Sequence, residues 1–365
     1  MRVYLLEPYL TGSHRRWAEG YAARSAHEVH LVTLPGQFWK WRQTGGFVTL
    51  AGRFRAAVER HGPPDALVAT SLLDLAGFLG LTRDLTAGVP AALYLHENQI
   101  TYPEVGRTRV EDRHGLISWT SLVAADAVAF NSRYHRDAVF GALEGFLGAF
   151  PDERHTHLVP GVASKSTVLP VGVDLVRLDR TRAQRSDPPL VLWNHRWDAD
   201  KDPGAFFDAL DALAAEGVGF RVALCGERFA RQQETYRARI EALGDRVVVD
   251  RELSDTEYPA VLASADVAVS TALQEFFGIS VVEAIAAGAF PVLPDRLVYP
   301  ERIPEDLSDR CLYGSPAGLV DRLRDALAAD DRRDVARRLA RGVEHFDWSV
   351  VAPAYDDWIG SITGS

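Results

Sequence analysis

The sequence predicts an α/β protein of two Rossmann-like lobes facing across a cleft. Three observations lead there. Short apolar, strand-like runs alternate with helix-like segments along the whole chain, the pattern of parallel sheets joined by crossover helices. A length of 365 residues suits about two domains. A polar stretch from Asp174 to Pro189, rich in Arg and Asp and closed by two prolines, separates the two alternating halves.

In the first half, Val3–Leu6, Val29–Leu34, Ala66–Ala69, Ala91–Leu95, Ala127–Asn131 and Val168–Val171 read as strands. In the second, Leu190–Asn194, Phe220–Cys225, Val247–Asp250, Val267–Thr271 and Phe290–Leu293 do the same. The expected division is an N-terminal domain at 1–175, a linker at 176–189, a C-terminal domain at 190–345 and a segment at 346–365. The aromatic residues of that last segment, from Phe346 to Trp358, suit a return to the first lobe. Ligands of such sheets bind beyond the carboxyl ends of the strands. The residues that follow each strand are therefore the ones to read for chemistry.

Composition narrows the class. With 47% hydrophobic and 25% charged residues the chain is globular, and no apolar run nears the roughly 20 residues that span a bilayer. The start, Met-Arg-Val-Tyr-Leu-Leu-Glu, reads as a first strand rather than a leader peptide, so a cytoplasmic location is expected. Cys225 ends a strand-like run and is expected to be a buried free thiol. The net charge of −10 argues against a protein coated for nucleic acid. The charge is uneven, however: residues 1–180 carry +1 and residues 181–365 carry −11. An anionic macromolecule would dock on the N-terminal half.

The most informative segment is Glu275-Phe-Phe-Gly-Ile-Ser-Val-Val-Glu283, between a strand-like and a helix-like run. Gly278 permits close approach of a ligand to the backbone. The N–H groups from Phe277 to Ser280 would open a helix and receive a diphosphate. Glu275, in the loop, would bond sugar hydroxyls, and Glu283, about two turns into the helix, would hold a nucleotide ribose. The combination points to a nucleotide-sugar glycosyltransferase.

Four further stretches follow strands or carry unusual side chains. Glu7-Pro-Tyr-Leu-Thr-Gly-Ser-His14 is a glycine-containing loop before a helix expected from Trp17. There His14 contacts acceptor or phosphate, unless Ser13 only caps the helix. His96-Glu-Asn-Gln-Ile-Thr-Tyr-Pro103 places four polar side chains in a row at a strand end, with His96 set to meet a sugar hydroxyl. In Trp193-Asn-His-Arg-Trp-Asp-Ala-Asp-Lys201, Arg196 and Lys201 are two cations for a departing diphosphate, since negative charge builds there as the glycosidic bond breaks. Trp39-Lys-Trp-Arg42 interleaves aromatics with cations. That suits stacking on unpaired bases, a membrane surface, or two half-buried tryptophans.

Together these residues resemble the retaining glycosyltransferases of family GT4, of GT-B fold. Within it they resemble the tRNA-queuosine α-mannosyltransferases. The matching stretches are Gly12-Ser-His14, Trp39-Lys-Trp-Arg42, His96–Gln99, Trp193–Trp197, Cys225-Gly-Glu227, Glu275–Gly278 and Leu293–Glu301, in the same order through nearly the whole chain. Two departures are Thr11 in place of a second glycine and the position of Lys40 between the two tryptophans.

The resemblance implies transfer of mannose from GDP-mannose to the cyclopentene diol of queuosine at a tRNA wobble position. It implies front-face attack, with no cofactor and no metal. The implied catalytic residues are Arg196, Lys201, Glu275 and His96. Donor contacts would come from Gly226, Phe276, Phe277, Gly278, Ile279 and Glu283. Acceptor contacts would come from Gly12, Ser13, His14, Trp39, Trp41, Arg42, Glu97, Asn98 and Gln99. Two other readings stay open: a GT4 enzyme with another nucleotide sugar and a lipid or small-metabolite acceptor, and a non-catalytic protein that binds nucleotide sugar or RNA.

Overall fold

The computed structural model describes residues 1–101, 113–178, 187–228 and 230–364. Two compact units make up the chain: Met1–Gly172 with Trp348–Ser365, and Val173–Asp347. Of the stretch 176–189, residues 179–186 lie outside the described residues, and its remaining residues fall in the second unit.

The first unit holds six parallel strands: β1 (Arg2–Leu10), β2 (Glu28–Pro35), β3 (Ala66–Thr70), β4 (Ala91–Leu95), β5 (Ala127–Phe130) and β6 (Ser166–Val168). They lie in the order β2-β1-β3-β4-β5-β6. Every residue of β3, β4 and β5 is buried, which is why these strands read as unbroken apolar runs. The second unit holds β7 (Leu190–Trp193), β8 (Arg221–Leu224), β9 (Val247–Asp250), β10 (Val267–Val269), β11 (Phe290–Pro294) and β12 (Leu312–Tyr313). Their order is β12-β11-β10-β7-β8-β9. The strand order reverses between β1 and β3 in one sheet and between β7 and β10 in the other. At such points the loops diverge and leave a crevice for ligands.

Element bounds differ from the sequence reading in several places. Strand β1 continues to Leu10 through an irregularity between Glu7 and Leu10, so Glu7 is a strand residue and wholly buried. The first helix, α1 (Gly12–Ala22), starts at Gly12 rather than at Trp17, so Ser13 lies within it and caps nothing. Thr11 precedes α1 with an extended backbone (φ −155°), a conformation that asks for no glycine. The last strand of the first unit is Ser166–Val168 rather than Val168–Val171, and β12, two residues long, was too short to leave a pattern.

The segment after residue 347 joins the first unit as one helix, Trp348–Thr363. Trp348 is buried against Gly20 and Gly172. A Cβ on Gly20 would come within 2.7 Å of its indole. Tyr355 Oη accepts from Trp17 Nε1 (3.1 Å) and donates to the carbonyl of Pro170 (2.6 Å). Asp356 accepts from Tyr21 (2.8 Å), Ser25 (2.6 Å) and the N–H of Ala26 (2.8 Å). The helix thereby braces Trp17, whose ring stacks on Tyr94 and meets His96 edge-on. Both cysteines are free and buried. Among the described residues no helix is long and apolar enough to cross a membrane.

Removing the Trp348 indole leaves a cavity between two glycines that cannot fill it. We expect Trp348→Ala to lower unfolding stability by about 3–5 kcal/mol, read from urea denaturation.

Candidate functional site

In the first unit the polar residues meet beyond β1 and β4. His14, on the first turn of α1, lies between two carboxylates: Nδ1 is 3.0 Å from Glu7 Oε2 and Nε2 is 3.2 Å from Glu97 Oε2. The second oxygen of Glu7 accepts from the N–H of Tyr9 (2.7 Å). Burial works to remove the charge of His14, but Glu7 and Glu97 outweigh it and carry its pKa up to about 10. His14 is therefore an imidazolium whose two N–H groups both donate to carboxylates. Gly12 and Ser13 are exposed at the start of the same helix.

His96 stands beside this chain, its ring centroid 4.4 Å from that of His14 and walled by Trp17 and Tyr94. Burial, and after it the charge of His14, hold its pKa far below the ordinary imidazole range, so it is neutral. Its Nε2 is buried with no hydrogen-bond partner among the described residues. Donor atoms of Glu7, His14 and His96 lie within 4.8 Å of one another, a set that could surround a cation. A cation there would have to displace the proton that His14 shares with Glu7.

Asn98 departs from the sequence reading. It is buried, and its side-chain oxygen accepts from the N–H groups of Ile100 (2.9 Å) and Thr101 (2.8 Å). Its side chain holds the loop rather than facing an acceptor. Gln99 is buried as well. Tyr102 and Pro103 of the same motif lie outside the described residues. Trp39, Trp41 and Arg42 sit in the first turn of the helix α2 (Trp39–His61). Trp39 leans on His114 (5.2 Å between ring centroids), whereas Trp41 is 62% exposed.

In the second unit the residues gather at the reversal between β7 and β10. Lys201 is buried. Its ammonium donates to the carbonyl of Gln274 (2.7 Å) and to Glu275 Oε2 (3.3 Å), and lies 3.2 Å from Asp200. Burial opposes its charge, but Glu275 and Asp200 raise its pKa above the ordinary lysine value. Glu275 is the mirror case. Burial alone would push it up, yet Lys201, His195 and the N–H groups of Phe277 and Gly278 bring it down to about 2.

The N–H groups of Phe276 (3.1 Å) and Phe277 (3.2 Å) donate to Glu275 Oε1. This corrects the expectation that the Phe277 N–H stands open to an anion. Gly278, at φ 81°, is the left-handed residue that turns the chain into the helix Ile279–Ala286. The N–H groups of Ile279 and Ser280, in its first turn, have no acceptor within that helix.

Glu283 is the fifth residue of the same helix, one turn in rather than two. Its carboxylate is buried and bonded to Arg177 Nη2 (2.7 Å) and the Tyr258 hydroxyl (3.0 Å). Arg196 is half-exposed and paired with Asp198 through its Nε. Gly226 is required by packing, because a Cβ there would strike the carbonyl of His195. The rings of Phe276 and Phe277 are buried. Phe277 packs on Phe346, and its carbonyl accepts from Arg302 (3.0 Å).

Several members of these clusters escaped sequence reading. Glu7 opened the quoted Glu7–His14 stretch, but as a loop residue without a role, and it lies inside a strand. Arg177 and Tyr258 join Glu283 from 106 and 25 residues away and carry no local signal. His195 lay within the quoted Trp193–Trp197 stretch. It is buried, its pKa lowered to about 4 by burial and Lys201, and its Nδ1 meets Ser280 Oγ at 3.3 Å.

Known proteins resemble the chain over both units. A family model described as tRNA-queuosine alpha-mannosyltransferase N-terminal matches residues 2–173, and one described as glycosyl transferases group 1 matches residues 177–342. The tRNA-queuosine alpha-mannosyltransferase of Drosophila melanogaster is 31% identical over 88% of this chain and 85% of its own length. A GDP-mannose-dependent alpha-(1-6)-phosphatidylinositol dimannoside mannosyltransferase of Mycobacterium tuberculosis is 30% identical over 56% of this chain and 54% of its own. Among solved structures, sucrose-phosphate synthase from Thermosynechococcus elongatus superposes with a TM-score of 0.72 at 16% identity, over 100% of this chain and 99% of that one. With the two parallel six-stranded sheets, this establishes the GT-B glycosyltransferase fold.

The His14 chain has a pH signature. Folded His14 keeps its proton up to about pH 10, and an unfolded histidine only to about 6.5. Its contribution to stability is complete below about 6.5 and lost as pH rises through 10. We expect the stability gap between the native chain and His14→Gln to shrink across that window, measured by urea unfolding at stepped pH.

Proposed function

Because the chain belongs to the tRNA-queuosine alpha-mannosyltransferase family and is a glycosyltransferase, we propose that it moves mannose from GDP-mannose to a hydroxyl of the queuosine cyclopentene diol in tRNA. The observation that carries the acceptor is the match of the whole first unit's strand region, residues 2–173, to the N-terminal model of that family. The donor reading is supported by the GDP-mannose dependence of the M. tuberculosis relative.

On this reading the reaction is a front-face displacement with retention. The acceptor oxygen bonds to the anomeric carbon on the face that the GDP oxygen leaves, and the acceptor proton passes to the departing phosphate. No side chain becomes covalently attached. The protein supplies orientation and a field for the growing phosphate charge. Lys201 exchanges a carboxylate contact for a diphosphate oxygen, and Arg196 swings from Asp198 to a second one. The N–H groups of Ile279 and Ser280 receive the phosphate at the helix start.

Glu275, held ionised at about pKa 2, accepts from mannose hydroxyls. Glu283, fixed by Arg177 and Tyr258, accepts from the ribose. His96 offers a neutral, uncommitted Nε2 to a sugar hydroxyl. Glu97, oriented by His14, accepts from the acceptor diol, and the Trp39–Arg42 turn meets tRNA.

The deciding experiment is transfer from GDP-mannose to queuosine-containing tRNA, read by mass spectrometry of the digested nucleosides, against a matched tRNA without queuosine. A hexose gained only on queuosine confirms the reading. A hexose gained instead on lipid or metabolite acceptors overturns it. Lys201→Ala and Glu283→Ala are each expected to lower kcat/KM by about a hundredfold or more. Lys201→Ala also leaves the half-buried Glu275 charge without its cation, so its melting curve must show a folded chain at the assay temperature. Full activity in either variant removes that residue from the site. Transfer is expected to proceed in EDTA. Loss of activity restored by a divalent metal would contradict a metal-independent reaction and point to Glu7, His14 and His96.

A further inference from the structure

Two locally unfavourable features coincide at the start of α2, and both present an aromatic ring to solvent. Phe38, the residue before the helix, lies in the left-handed region at φ 55° and ψ 55°, which bulky residues rarely adopt. Its side chain makes no cap and is 75% exposed. One turn on, the Trp41 indole lies against Gly45. A Cβ on that glycine would come within 2.7 Å of the ring. Glycine inside a helix is unfavourable, and here it leaves a bare backbone on which the indole is seated. The ring is thus held in one place while 62% of the residue stays exposed. Lys40, whose ammonium lies 5.5 Å from the Trp39 ring centroid, and Arg42, whose Nε donates to the carbonyl of Pro35 (3.1 Å), bring positive charge to the same turn.

The position is specific. Gly36, two residues before Phe38, packs directly on the Thr11 side chain, so the loop after β2 abuts the loop after β1 that leads into Gly12, Ser13 and His14. Flat rings, flanking cations and adjacency to the acceptor cluster match the requirements of unpaired nucleotides. Each base can stack on a ring face and each phosphate can meet a cation.

We infer that Phe38 and Trp41 form a two-ring platform on which unpaired nucleotides next to the modified base stack, with Gly45 as the seat of the second ring. The inference rests on the tRNA reading above and adds to it the means by which a single-stranded loop is told from a duplex. It also separates Trp41 from Trp39, which packs on His114 and is not part of the platform.

The test measures binding of an anticodon stem-loop RNA, and of a duplex of equal length, to the full chain and to Phe38→Ala, Trp41→Ala, Gly45→Ala and Trp41→Phe. The native chain should prefer the stem-loop. Phe38→Ala and Trp41→Ala should each weaken stem-loop binding by about 5- to 150-fold, the range of one lost base stack. Duplex binding and melting temperature should be unchanged. Gly45→Ala should weaken the stem-loop by unseating the ring, and Trp41→Phe should restore part of the loss.

Stem-loop affinity within twofold of native in both alanine variants overturns the platform. So does a loss confined to anionic phosphatidylglycerol vesicles, which would make the rings a membrane contact. A native chain that binds the stem-loop through these rings but glycosylates no queuosine sinks the proposed reaction and leaves the platform standing. A chain that modifies tRNA with unchanged KM in both variants does the reverse.

Discussion

Parallel pairing within each sheet is the constraint on which the rest of the structure depends. A parallel pair cannot be closed by a hairpin, so each strand is followed by a crossover that carries the chain back to the end where the strand began, and all the loops after strand ends gather at one edge. In the first unit that edge receives Glu7, the start of α1 at Thr11–His14, the Gly36–Trp41 stretch that opens α2 and His96–Gln99. In the second it receives Asn194–Lys201 and Gln274–Ser280. Residues 70 or more positions apart, such as Lys201 and Glu275, become neighbours for this reason alone.

Buried and half-buried charge at these edges is tolerated because each ion meets an opposite one. His14 lies between Glu7 and Glu97, Lys201 between Asp200 and Glu275, and Glu283 against Arg177. An isolated ion at any of these depths would shift its pKa until it became neutral. His96 and His195, buried beside a cation without a carboxylate bonded to them, have done so. The same imidazole chemistry is thus charged at one position and neutral a few ångströms away. That difference separates a group that orients a carboxylate from one that can exchange hydrogen bonds with a sugar.

The strand runs and the motifs after them were legible because parallel strands are apolar on both faces and their ends are polar. The Glu275–Glu283 segment, the His96 loop and the Trp193–Lys201 stretch all lie where that logic puts them. What it misjudged was local hydrogen bonding. Asn98 satisfies its own loop, and Glu275 satisfies the N–H of Phe277 that a ligand was expected to use. Helix α1 begins five residues early because Thr11, Gly12 and Ser13 carry no apolar periodicity to announce it. Strand β12 is too short to have a pattern at all.

Fold class, family and the stretches in which the chemistry lies follow from residue order alone, because each depends on patterns over a few turns or strands. Tertiary structure alone decided the protonation of His14, the partners of Glu283, the burial of Glu7 and the seating of Trp41 on Gly45. The physical reason is that charge state and exposure depend on what surrounds a side chain in space. The neighbours that matter here arrive from other strands and helices, or, for Trp41, from the way its ring folds back along its own helix.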